Sequence, residues 1–252
     1  MKNLGFALYS VCGLVAAFLL SWVLLAQINF GYSVLYEVMS IEQHVKKFGP
    51  QNRYRRAFHY TDKPEHVRLF AAINDAIHNQ GNGLDDLKYH TPQGQEIDTL
   101  LREPEVIHLV DVANLITAFF IVGGAAALIW FMTTFICLMR KIALPSVKVQ
   151  SISIAVLMAV AALITLVVGP VKVFYAFHVW LFPDNHQWFF YYQESLMTIL
   201  MKAPFLFGYI AILLAVLALL IFILVNLALQ RMTKHRMASQ DDANREAPAN
   251  AA

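Results

Sequence analysis

The chain is poor in charge and in cysteine. Charged side chains make up 14% of its 252 residues, and the net charge of +2 is too small to indicate a nucleic-acid partner. Cys12 and Cys137 lie in different apolar stretches, where they act as small hydrophobic residues and not as a disulfide framework. The sequence has no GxSxG, CxxC or HExxH pattern, so no motif supports a protein nucleophile or a zinc site. We expect no metal and no cofactor.

Long apolar runs dominate instead. Hydrophobic residues make up 58% of the chain, and its mean hydropathy is +0.54. Crossing a hydrocarbon core of about 30 Å takes ~20 apolar residues. Four stretches meet that length, at about 4–29, 107–139, 149–178 and 203–229. We therefore predict an all-α polytopic membrane protein, with residues 1–232 forming a four-helix membrane domain.

The basic residues indicate the orientation of these spans. Those next to short connections all fall on one side of the membrane, which the positive-inside rule makes the cytoplasm. They are Lys2, Arg140, Lys141, Lys148, Arg231, Lys234 and Arg236. Both termini are then cytoplasmic, and the polar segment 233–252 is predicted to be a disordered cytoplasmic tail.

Residues 30–106, between the first two spans, are predicted to form a small helical extracytoplasmic insert. Asp62-Lys63-Pro64-Glu65 combines a capping residue, an early proline and a glutamate three residues after the cap, which is typical of a helix start. Gly81-Asn82-Gly83 ends that helix. The five histidines of the insert lack the tight spacing of metal ligands; they are His44, His59, His66, His78 and His90.

Two histidines stand at the outer ends of neighbouring spans. His108 lies 32 residues before Arg140, or ~48 Å along a helix, and His178 lies 30 residues after Lys148, or ~45 Å. The short turn Leu144-Pro145-Ser146 makes the two helices antiparallel neighbours, so both imidazoles should reach the same plane at the outer membrane surface. Gly169-Pro170 is expected to kink the second of these helices.

Histidine exchanges protons near neutral pH, so this pair is a candidate acid–base site. Asp111, one turn from His108, could orient that imidazole, and Asn114 extends the same polar end. Lys172 could hold a lipid headgroup, although a lysine there usually only snorkels to phosphate. Interfacial histidines are also often merely solvated, which leaves a structural role open.

An aromatic loop follows His178. Trp180, Phe182, Asp184 and Trp188 are its candidate substrate- and lipid-binding residues. Tryptophan and tyrosine concentrate where membrane meets water, so the alternative is a belt that anchors the protein at the interface. Asp184 could equally be a solvated loop acid.

These residues carry a family resemblance. Ile107-His108-Leu109-Val110-Asp111-Val112, followed by Phe177-His178, Phe182-Pro183 and Trp188-x-Phe190, resembles the bacterial integral membrane family that contains the lipoprotein intramolecular transacylase, Lit. The four-span layout with its insert matches as well, up to about Leu229. The chain departs from better-known members at 189–195, which is aromatic where we expect an acidic run.

The resemblance implies an enzyme of the bacterial cytoplasmic membrane whose site faces the extracytoplasmic side. Its substrates would be diacylglyceryl lipoproteins within membrane lipid. An acyl chain would move from the diacylglyceryl group of the N-terminal cysteine to that cysteine's α-amine, giving a lyso-form lipoprotein. His108 and His178 would be the catalytic pair, with the base and the acid not assigned between them.

Two other hypotheses remain at this stage. A non-catalytic membrane scaffold or sensor would bind a partner through its extracytoplasmic domain and would tolerate loss of both histidines. Transport of a small solute is the weakest reading, because charged residues are almost absent from the span centres.

Overall fold

The computed structural model describes residues 2–140 and 142–249. In chain order the helices and strands are α1 (Lys2–Gln27), α2 (Tyr32–Val38), α3 (Ile41–Phe48), α4 (Lys63–His78), β1 (Lys88–His90), β2 (Glu96–Thr99), α5 (Glu103–Met139), α6 (Val147–Val168), α7 (Pro170–Leu181), α8 (Leu196–Leu200) and α9 (Phe205–Ala249). Two compact units result. One comprises Met1–Ser21, Val122–Ile164 and Ala215–Ala252, and the other comprises Trp22–Ile121 and Thr165–Leu214.

Four helices are long and apolar enough to cross a membrane, as the sequence predicts. Their candidate spans are Gly5–Gln27, Glu103–Met139, Val147–Val168 and Phe205–Thr233. Many of their apolar side chains are exposed, for example Val167 at 78%. In a helix whose backbone groups bond within the segment, such a surface suits contact with lipid.

The predicted span at 149–178 is two helices. α6 ends at Val168 and α7 begins at Pro170, with Gly169 between them at φ +96°. Proline has no N–H to continue the helical ladder, and glycine adopts a positive φ without a Cβ clash, so the pair breaks the helix. The predicted kink at Gly169-Pro170 is therefore confirmed.

The core of the first unit is made by helices from its three segments. Ala17, Ile154, Ala218 and Phe222 form its buried cluster. Polar pairs add to it: the Tyr9 hydroxyl lies 3.1 Å from the Thr134 hydroxyl, and Ser10 donates to Gln150 at 2.9 Å. Small residues at the centre of the cluster let the helix backbones approach closely, which is the usual basis of helix packing in membranes.

The segment between the first two spans belongs to the second unit and has its own core. α4 begins as predicted, because the Asp62 carboxylate accepts a hydrogen bond from the Glu65 N–H at 3.2 Å. The ring of Tyr32 stacks on that of Phe70 with centroids 4.1 Å apart. Both side chains are almost fully buried, so this stack ties α2 to α4.

This segment is not purely helical, contrary to the prediction of an all-α fold with a helical insert. Strands β1 and β2 pair antiparallel, with Tyr89 opposite Asp98 and an irregularity after Tyr89. Tyr89 is fully buried and its hydroxyl donates to the Arg56 carbonyl at 2.6 Å. The hairpin turns through Gly94 at φ +82°. Three or four residues a strand are too few for the alternation of side chains to be visible in the sequence.

The end of the chain also differs from its prediction. α9 continues to Ala249, through most of the segment 233–252 that its polar composition predicts to be disordered. Six of the 20 residues in that segment are alanine, the strongest helix former. Residues 250–252 and Lys141, one of the basic residues used to orient the spans, lie outside the described residues.

Candidate active site

A buried carboxylate fixes the start of α5. Glu105 is fully buried and accepts hydrogen bonds from the Arg102 N–H at 2.9 Å, the Arg102 guanidinium at 3.2 Å and the Ser195 hydroxyl at 2.5 Å. The bond to the Arg102 N–H is the capping-box contact between the third residue of a helix and its cap. The carboxylate thereby joins α5 to the start of α8, three residues before His108.

His108 and His178 lie side by side. Their ring centroids are 6.2 Å apart, and the ring planes are inclined by 34°. His108 is 9% exposed, and its Nδ1 is buried with no hydrogen-bond partner among the described residues. Two imidazoles at this separation can both act on one ester group, directly or through one water.

The hydrogen bond of His178 defines its tautomer. Nδ1 lies 2.7 Å from the carbonyl oxygen of Phe174, one turn earlier in α7. A carbonyl oxygen can only accept, so Nδ1 carries the hydrogen and the lone pair of the neutral ring is on Nε2. His178 is thus held in the form that can remove a proton through Nε2.

Aromatic rings surround the histidine pair. The Phe182 centroid lies 5.0 Å from that of His108 and 5.3 Å from that of His178. Trp188 packs on His178 at 4.8 Å, and Phe190 lies 6.1 Å from His108. Two of the predicted binding residues of the loop, Phe182 and Trp188, therefore contact the imidazoles and reduce their exposure to water.

Asp111 forms no hydrogen bond with His108, so the prediction that it orients that imidazole is wrong in this respect. Its carboxylate oxygen Oδ2 lies 2.7 Å from Nδ1 of His186, a residue of the aromatic loop. His108 and Asp111 share one side of α5, but the loop crosses that side and brings the competing imidazole to the carboxylate. Asp111 supports the loop in this structure.

The other predicted site residues lie apart from the pair. Each is exposed, and within the described ranges none has a side-chain hydrogen bond, an ion pair or a ring contact; they are Asn114, Lys172, Trp180 and Asp184. Trp180 is 81% exposed, which suits an anchor in lipid better than a wall of the site.

Sequence reasoning missed three contributors to the site. Glu105 could have been recognised, because a glutamate at the third position after a proline-containing helix start is a capping signal. His186 offered no signal, since its partner Asp111 is 75 residues away. Phe174 contributes only a carbonyl oxygen, which every residue has.

His66, in the segment between the first two spans, has a structural role. His66 is almost fully buried, and its two ring nitrogens contact the Tyr36 hydroxyl at 2.8 Å and the Thr61 hydroxyl at 2.6 Å. Burial lowers the pKa of His66, and likewise that of His44, to about 4. Across the part of the chain that the structure describes, no three histidine, cysteine or acidic side chains form a metal-binding group.

Comparison with known proteins gives one family. The profile described as "Lipoprotein intramolecular transacylase Lit" matches residues 7–207. Comparison with curated proteins gives no match.

Three solved structures of Bacillus cereus proteins are similar in fold. Each is described as the membrane integral lipoprotein intramolecular transacylase Lit. The first has a TM-score of 0.66 and 20% identity, covering 94% of this chain and 98% of that chain. A form with a histidine-to-arginine mutation gives 0.66 and 19%, covering 95% of both chains. A form with a histidine-to-alanine mutation gives 0.64 and 20%, covering 94% and 96%. At this identity the likeness establishes the fold.

Proposed function

The chain belongs to the lipoprotein intramolecular transacylase family, and from that premise we propose that His108 and His178 catalyse the acyl transfer within a diacylglyceryl lipoprotein. The acyl chain leaves the glyceryl ester of the N-terminal cysteine and joins the α-amine of the same cysteine. The product is an N-acylated lyso-form lipoprotein. The observation that carries this proposal is the 6.2 Å separation of the two rings.

His178 is the base in this scheme. Its Nδ1 hydrogen is held by the Phe174 carbonyl, so Nε2 has a free lone pair for the substrate. An α-amine has an ordinary pKa of about 8, and only its neutral form attacks a carbonyl carbon. His178 Nε2 removes a proton from the nitrogen as the new C–N bond forms.

His108 is the acid. The N–H of its neutral ring donates a hydrogen bond to the ester carbonyl oxygen and stabilises the negative charge that develops there as the amine attacks. The proton that His178 took from the amine then passes to the unprotonated nitrogen of His108, directly or through one water. The resulting imidazolium protonates the glyceryl oxygen as the C–O bond breaks, so both rings end neutral, as they began. Starting from the ammonium form, one further proton leaves to solvent in each turnover.

Proximity supplies much of the remaining acceleration. The amine and the ester belong to one molecule, so no second substrate has to be positioned and no covalent acyl-enzyme is required. The rings of Phe182 and Trp188 keep water from the imidazoles, which favours attack by the amine over hydrolysis of the ester.

The reaction is placed at the outer surface of the bacterial cytoplasmic membrane. The orientation follows from the positive-inside rule, with both termini in the cytoplasm and the insert outside. The diacylglyceryl group would then enter from the surrounding lipid, which the exposed apolar surface of α7 faces.

Amide side chains in place of the two histidines test the proposed roles of base and acid. Asn at position 178 keeps an N–H near the place of Nδ1 for the Phe174 carbonyl but removes the base. We expect His178→Asn and His108→Gln to lower kcat by about 100- to 10,000-fold, the range for losing a general acid or base. The measurement is mass spectrometry of lipoprotein N-terminal peptides from cells that express each variant.

His78 provides the matched control. Its Nδ1 donates to the Asn74 carbonyl at 2.7 Å, as His178 donates to Phe174, but its Nε2 already accepts from the Trp22 indole at 2.8 Å. His78→Asn should keep most of the activity. Full N-acylation by both site variants would refute the catalytic pair, whereas no N-acylation by the parent protein would favour the scaffold hypothesis.

A further inference from the structure

The aromatic loop is held against α5 by one side-chain hydrogen bond. The loop, residues 182–190, connects α7 to the segment before α8 and is neither helix nor strand. Inside it, the His186 N–H donates to the Pro183 carbonyl at 3.0 Å, which closes a turn. Toward α5, His186 Nδ1 and Asp111 Oδ2 are 2.7 Å apart. Among the described residues it is the one polar side-chain contact between the loop and α5.

We propose that His186 is a positioning residue for acyl transfer and acts through Asp111. Their hydrogen bond, here named the loop latch, holds the loop so that Phe182 and Trp188 stay packed on His108 and His178. The inference rests on the proposed function, because it assigns a role within that reaction. His186 itself contacts neither imidazole of the pair.

The position of His186 in the loop explains why one bond has this effect. It lies four residues after Phe182, which packs against both imidazoles, and two before Trp188, which packs on His178. The latch is partly shielded, with His186 31% and Asp111 16% exposed at their side chains. A hydrogen bond to an ionised partner is stronger when water has limited access to it.

Loss of the latch should make the loop more mobile and admit water to the site. The rings of Phe182 and Trp188 would be displaced from the imidazoles for part of the time. Water would then compete with the ester for both histidines. Because the loop still exists, substrate binding should change less than the chemical step, so the loss should appear mainly in kcat.

The latch requires a hydrogen-bond donor at position 186, but that donor does not have to give up its proton. Ionised aspartate is an acceptor only, so Nδ1 carries the hydrogen whether the His186 ring is neutral or charged. The amide nitrogen of asparagine occupies nearly the same place as Nδ1 of histidine. His186→Asn should therefore restore what His186→Ala loses.

The test uses the full-length protein in lipid–detergent micelles with a synthetic diacylglyceryl lipopeptide. A hydrogen bond to a charged group shifts an equilibrium on the order of 10- to 100-fold, and His186→Ala should lower kcat by that factor with little change in KM. His186→Asn should recover most of the loss. Asp111→Ala combined with His186→Ala should be no worse than the more damaging single change, because both remove one bond.

A second measurement follows the loop directly. With Trp22, Trp130 and Trp180 replaced by Phe, the emission of Trp188 reports its contact with His178. Acrylamide should quench Trp188 more strongly in His186→Ala than in the parent, and His186→Asn should return it to the parent value. Unchanged unfolding midpoints in these variants separate a loop effect from loss of the fold.

Three results would overturn the latch: full activity in His186→Ala, no recovery in His186→Asn, or a double variant whose loss equals the product of the single losses. Failure of the proposed function looks different. If the parent protein forms no N-acylated lipopeptide, the transacylase assignment fails, while the quenching comparison still decides whether His186 holds the loop.

Discussion

Replacement of Glu105 should cost more stability than any other single change near the site. Its carboxylate is fully buried and accepts three hydrogen bonds from Arg102 and Ser195. Glu105→Ala leaves the Arg102 guanidinium without its carboxylate, and that side chain is only 17% exposed. Removing one partner of a buried ion pair costs about 3–5 kcal/mol of unfolding free energy.

Ser195→Ala separates the parts of this network. Ser195 donates to Glu105 and also caps α8, where its oxygen accepts from the Thr198 N–H at 2.9 Å. A hydrogen bond to a charged group contributes about 1.5–3 kcal/mol, and a lost helix cap costs about 1 kcal/mol. We therefore expect Ser195→Ala to lower the unfolding free energy by about 2.5–4 kcal/mol, with the pair of Glu105 and Arg102 left in place.

The assay is equilibrium unfolding by SDS titration in mixed micelles. Glu103 is the matched control, since it is an acidic residue in the same first turn but is exposed. Glu103→Ala should cost less than about 1 kcal/mol, the usual size of a charge interaction with a helix end. Equal costs for Glu103→Ala and Glu105→Ala would refute the buried network as the support of the site.

Two further predictions concern packing and pH. An added Cβ at Gly81 would lie 2.8 Å from the Val110 side chain, whereas one at Gly83 meets nothing within 4 Å, and both glycines have φ above +80°. Gly81→Ala should therefore destabilise the protein by about 1–3 kcal/mol more than Gly83→Ala, as overpacking does, in the same unfolding assay; equal losses would contradict a close contact with α5. The folded-state pKa of His66, about 4, lies below its ordinary 6.5, so its contribution to stability is complete above pH 6.5 and is lost as pH falls toward 4 and below. The full loss is roughly 3 kcal/mol at 1.36 kcal/mol per pKa unit, and His66→Gln should flatten the decline in unfolding free energy between pH 6.5 and 4; an unchanged decline would contradict it.

Long-range geometry limits what could be predicted for the site. Counting residues along two helices placed His108 and His178 at one height, and the structure has them 6.2 Å apart. The same counting suggested that Asp111 orients the imidazole of His108, because residues three apart are neighbours on a helix. The loop brings His186 to that carboxylate, and no local pattern shows where a loop without regular structure will cross a helix.

The sequence by itself determined the class of protein, the number of spans and the break at Gly169-Pro170, because apolar run length and proline geometry are local properties of the chain. It also identified the histidine pair and the family. Only the tertiary structure decided the partner of Asp111, the tautomer of His178 and the burial of Glu105 against Ser195. Each of these depends on which polar atoms meet when distant segments pack, or on a backbone carbonyl that every residue offers, and neither is specified by the order of residues around one position.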